Sequence, residues 1–134
     1  MNRTLLFAIL AVAAFIAIFN QAALTFHWFF QVWWADVVLH FMGGVLVALI
    51  AIWKAFFSGW FRRIKPTPIA FFVVPLVSVL VVALGWEAFE YLNHFPREAN
   101  YRFDTFEDLL MAVLGMLLVH SYATMRDWRD RIAS

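Results

Sequence analysis

Residues Ile69–Tyr91, IAFFVVPLVSVLVVALGWEAFEY, decide the fold class of this chain. No charged residue interrupts the run before Glu87. About 20 apolar helical residues cross the hydrocarbon core of a bilayer, and this stretch is that long. Its ionisable groups, Glu87 and Glu90, come only at its end. Three further runs follow the same plan. One spans Thr4 to Phe19 and continues through Ala22 to Leu24, another Val37 to Phe57, and a third Thr105 to Thr124. Arg3 ahead of Leu5 to Phe19 has the look of a signal peptide, but Asn20-Gln21-Ala22-Ala23 makes a weak cleavage site, so we read a retained helix. The expectation is an all-α integral membrane bundle of four transmembrane helices. It forms one domain over residues 1–134, with spans at 4–24, 37–57, 69–91 and 105–124.

Composition agrees. The chain is 65% hydrophobic, against about 45–50% in ordinary soluble domains. It has no cysteine, which excludes disulfides, thiolate nucleophiles and Cys-ligated zinc or iron–sulfur clusters. There is no serine nucleophile in a recognisable setting, no Gly-rich phosphate loop and no basic stripe for nucleic acid. Membrane lipid and other membrane proteins are the partners to expect. Between the first two spans lies an aromatic segment with Phe26, His27, Trp28, Phe29, Phe30, Trp33 and Trp34. That density suits a headgroup-level belt or a short helix lying in the interface. Pro75 sits inside the third span, where proline removes a backbone hydrogen bond and tends to kink a helix.

Lys and Arg orient the bundle. Arg3 lies at the N-terminus, Lys54, Arg62, Arg63 and Lys65 flank the second loop, and Arg126, Arg129 and Arg131 lie in the tail. The first loop has neither residue, and the third has Arg97 and Arg102 beside Glu98. Both termini are therefore expected in the cytoplasm and the first and third loops outside. The membrane is expected to be a bacterial inner membrane.

This topology gathers acids. Asp36, Glu87, Glu90, Asp104, Glu107 and Asp108 are six of the nine carboxylates, and all fall at the outer ends of spans with His40. Ionisable groups are costly there and mark sites for cations, protons or polar substrates. Asp36 and His40 stand at i, i+4 on one helix face that continues through Gly43, Gly44 and Val47. Ala83, Glu87, Glu90 and His94 make a stripe on the third span, and Asp104, Asp108, Ala112 and Gly115 one on the fourth. The small residues let helices pack closely, so the polar stripes should face one another.

Carboxylates and a histidine on packed helices resemble bundle metal sites. The expected ligands of a divalent metal are His40, Glu87, Glu90 and Asp108. Oxygen-rich ligands favour magnesium, calcium or manganese, and a histidine admits zinc or iron. Asp36 and Asp104 are expected as acid–base or supporting groups, and Arg97 and Arg102 as a grip for phosphate. Without a cation some of these acids should hold protons, because like charges at close range disfavour one another. Simpler roles exist for several. Asp36 suits an N-cap of the second span, and Asp104 with Glu107 makes a capping box at the fourth. His27, His94 and His120 lie outside the cluster.

Asp36-Val-Val-Leu-His40-Phe41, Trp86-Glu87-Ala88-Phe89-Glu90-Tyr91 and Asp104-Thr105-Phe106-Glu107-Asp108-Leu109, followed by Gly115, resemble three motifs of the VanZ-like superfamily of small polytopic membrane proteins. The Asp-Thr-x-x-Asp and His-Phe-x-Gly-Gly forms look closest to its YjdF-like branch of inner-membrane proteins. The chain departs from the VanZ pattern at Glu90, where Gln is common, and at Asp108, where Asn is common. The resemblance covers about residues 36 to 119. It implies a link to envelope or lipid metabolism and a site at the motif positions, and supplies no reaction.

Three functions compete. The first is a membrane enzyme acting on an envelope lipid or lipid-linked phosphate. The second is a non-catalytic accessory or structural subunit of a larger photosynthetic or respiratory membrane complex. The third is a cation transporter, which ranks last because the acids do not continue across the membrane.

Overall fold

In lipid a backbone must satisfy its own hydrogen bonds, so a chain of apolar runs resolves into helices. The computed structural model describes residues 3–61, 64–93 and 101–125, without the side chains of Phe30, Tyr101, Arg102 and Met125. The helices are α1 Arg3–Thr25, α2 Trp28–Gln31, α3 Trp34–Ile52, α4 Pro68–Leu92 and α5 Tyr101–Met125. A π-helical turn, Trp53–Phe57, extends α3. Among the described residues four helices are long and apolar enough to cross a membrane: Arg3–Thr25, Trp34–Phe57, Pro68–Leu92 and Phe103–Thr124. No strand occurs among the described residues.

Helix α3 is the axis of the bundle, packed by α5, α4 and α1. It runs parallel to α5, since His40 meets Asp108 and, deeper down, Gly44 meets Ala112. It runs antiparallel to α4, whose start stacks Phe71 on Phe56 at 4.3 Å. Between apolar helices in lipid there is no hydrophobic force to gain, so close approach carries the packing. A Cβ on Gly44 would strike the Ala112 carbonyl, whose carbon lies 2.7 Å away. A Cβ on Gly115 would strike the Phe41 carbonyl and come within 2.9 Å of the Val45 nitrogen. Gly43 has nothing within 4 Å of a built Cβ, so the contact face runs through Gly44 and not through both glycines. Below it, Leu49, Ile52, Phe71, Val79, Met116 and Val119 fill the core.

The aromatic segment between the first two spans contains α2 and two turns around it. His27 opens it with a φ of 55°, in the left-handed region. Phe19 of α1 meets Trp28 edge-on at 5.6 Å and Trp34 at 6.4 Å, which ties the end of α1 to the start of α3. Trp33 and Trp34 remain exposed at this end.

Two helix starts differ from the sequence expectation. Helix α3 begins at Trp34 with Trp33 as its N-cap, and α5 begins at Tyr101. Asp36 and Asp104 therefore lie in first turns and do not cap, and no capping box forms on Asp104 and Glu107. Acids in a first turn still meet the positive end of the helix dipole. Helix α4 passes through Pro75 unbroken from Pro68 to Leu92.

A side-chain cap does form at Thr67. Its Oγ1 accepts a hydrogen bond from the Ala70 amide at 3.1 Å, with Pro68 at the first helical position. Thr67→Ala is expected to cost about 1 kcal/mol. Thermal unfolding in detergent, beside Thr67→Ser as a near-neutral control, checks it.

Candidate metal centre

The site grows from two matched ladders. On α3, Asp36, His40 and Gly44 follow one another at i+4. On α5, Asp104, Asp108 and Ala112 do the same. Gly44 brings the two backbones into contact one turn below the ionisable groups. His40 can then reach across, and its Nε2 stands 3.6 Å from Asp36 Oδ1 and 3.6 Å from Asp108 Oδ2. One ligand atom each from Asp36, His40 and Asp108 lies within 4.8 Å of the others. These separations exceed a good hydrogen bond. Oxygen and nitrogen ligands at about 2–2.5 Å from a shared cation stand roughly 3–5 Å apart, which is this spacing.

Burial is graded across the group. The side chains of Asp108 and His40 are 4% and 9% exposed, while that of Asp36 is 43% exposed. The site thus has a wet side at Asp36 and a dry side at Asp108.

Glu87 comes in from α4 and is buried, with 6% of its surface exposed. Its Oε2 accepts a hydrogen bond from Thr105 Oγ1 at 2.7 Å, and its Oε1 is buried with no partner. The charges of Asp36, Asp104, Glu87 and Glu90 all act on Asp108, and that of Glu87 acts on His40. Glu90 is half-buried, and its Oε1 accepts a hydrogen bond from Trp86 Nε1 at 2.8 Å along the same helix. Asp104 and Glu107 are half-buried in the first turns of α5.

The structure thus draws Asp36, His40 and Asp108 together, sets Glu87 beside them, and ties Glu90 to Trp86. Arg97 and His94 lie outside the described residues, as does the side chain of Arg102. His120 lies at the opposite end of α5, edge-on to Phe72 at 5.2 Å. Two polar partners were not singled out in the sequence as site residues, Thr105 and Trp86. Each had a signal in spacing, because Thr105 is three residues before Asp108 and Trp86 four before Glu90.

The chain belongs to the predicted membrane protein family DUF2238. The match covers residues 2–129, so every helix and every residue of the site falls inside the family's extent. No curated protein and no solved structure matches the chain.

Proposed function

We propose that this protein is a membrane enzyme that uses a divalent cation held by Asp36, His40 and Asp108 to act on an envelope lipid or lipid-linked phosphate. The observation that carries this reading is the convergence of three ligand atoms, from two acids and a histidine, within 4.8 Å. A bound cation offsets the repulsion on Asp108 and polarises a phosphoryl oxygen or activates water. The Lys and Arg distribution supports a place for the site on the outer side of the membrane, which on this reading is a bacterial inner membrane. Exposed Trp33 and Trp34 beside the half-exposed Asp36 suit a substrate arriving from the headgroup layer. Asp104 supplies an acid or base, and Arg97 and Arg102 grip phosphate. The motif likeness to VanZ-like proteins supports an envelope substrate.

Elemental analysis of protein purified in mild detergent tests the reading. The wild type should carry one divalent metal per chain, and Asp108→Ala and His40→Ala none. A wild type that holds no metal even after equilibration with manganese and zinc, and that copurifies with a membrane partner at fixed stoichiometry, points instead to the accessory-subunit function.

A further inference from the structure

Among the described residues, Glu87 is the one acid near the site with a buried oxygen left over. Thr105 holds Oε2 at 2.7 Å, which fixes the carboxylate and leaves Oε1 buried without a donor among the described residues. An unsatisfied buried acceptor is costly, more so when it is charged. Among the described residues nothing donates to it, and a bound water fits the vacant acceptor. The group whose ligand atoms all lie within 4.8 Å of one another comprises Asp36, His40 and Asp108 and does not include Glu87. Glu87 nevertheless lies near enough for its charge to act on His40 and Asp108. A group one step outside a cation's ligands meets the water that completes them. Three protein ligands leave such positions open on magnesium or manganese, which prefer six and keep several waters.

We propose that Glu87 Oε1 accepts a hydrogen bond from a water molecule bound to the cation, with Thr105 as the positioning residue that holds the carboxylate for it. This rests on the cation reading above and reassigns Glu87 from ligand to water acceptor. Thr105 lies one turn before Asp108 on α5, so the same helix carries a ligand and the clamp for the acceptor. Partners of this kind, outside the ligands themselves, typically change metal affinity by about 10- to 100-fold.

Manganese(II) is the probe, added to the full chain in detergent. Its affinity is followed by electron paramagnetic resonance, and bound waters are counted from line broadening in oxygen-17 water. Glu87→Met removes the acceptor at similar volume and adds only a soft sulfur that manganese disfavours. It should weaken binding about 10-fold or more with the number of bound waters unchanged. Thr105→Val should weaken it in the same direction, and Thr105→Ser should restore it. Glu87→Gln, whose amide oxygen can turn toward the water, should stay within about 3-fold of wild type. Asp108→Ala should lose binding or gain a bound water. An extra water in Glu87→Met would make Glu87 a direct ligand and overturn the proposal, as would unchanged affinity in that variant. Absence of manganese binding to the wild type would overturn the cation reading as well.

Discussion

Gly44→Ala and Gly115→Ala are each expected to destabilise the bundle by about 2–3 kcal/mol, the upper part of the range for overpacked contacts. The sign is opposite to what a helix prefers, since alanine in place of a helical glycine ordinarily gains up to about 1 kcal/mol. The reason is that both added methyls point at backbone. At Gly44 the obstacle is the Ala112 carbonyl, and at Gly115 the Phe41 carbonyl with the Val45 nitrogen. A flexible side chain can turn aside, but two packed helices must move apart. Gly43 and Gly85 supply internal controls, because nothing lies within 4 Å of a Cβ at either. Gly43→Ala and Gly85→Ala should be neutral or slightly stabilising. Unfolding in mixed micelles of mild detergent and dodecyl sulfate measures all four. Separation of α3 from α5 should also pull His40 from Asp108, so Gly44→Ala is expected to weaken manganese binding. A Gly44→Ala protein as stable as wild type would mean that the two helices do not meet where the structure brings them together.

Asp108→Asn is expected to move stability in opposite directions with and without metal. In metal-free protein Asp108 is a buried acid, acted on by Asp36, Asp104, Glu87 and Glu90. Asparagine keeps the shape, while the clustered charge falls. Surface pairs are worth only about 0–1 kcal/mol, but burial raises the stakes, and we expect a gain of about 1–3 kcal/mol. With metal the order reverses. A ligand at one hundred times its Kd stabilises a folded protein by about 2.7 kcal/mol. The wild type should show that gain and Asp108→Asn should show almost none. Thermal unfolding in EDTA and in excess manganese gives the four values. Wild type and variant shifting equally with manganese would place the cation somewhere other than on Asp108.

Much of the site was legible before the fold. Asp36 and His40 share a face because they are four residues apart on one helix, and the glycines and alanines below the acids marked helix faces built for close contact. The ranking within the cluster was not legible. Asp36 looked like a rim residue or a cap, yet α3 starts at Trp34, which puts Asp36 in its first turn and in the group with His40 and Asp108. Tryptophan at a membrane interface looks the same in sequence whether it ends a loop or begins a helix. Glu90 was expected as a ligand by spacing; its Oε1 accepts from Trp86 Nε1, and it lies outside the group of three ligand atoms. Gly43 and Gly44 are adjacent letters, and only the packing distinguishes the one in contact from the one in open space.

The four spans, their order and the collection of acids at one end were determined by the sequence alone. Hydropathy and the helical repeat are local properties, and lipid leaves an apolar run little choice but a helix. The tertiary structure decided which acids meet. That depends on how far two helices can approach and how each is rotated, which the backbone contacts at Gly44 and Gly115 set for α3 and α5. From that contact follow the grouping of Asp36, His40 and Asp108. The packing of α4 against the same pair adds the Thr105 hydrogen bond to Glu87 and leaves its other carboxylate oxygen buried without a partner among the described residues.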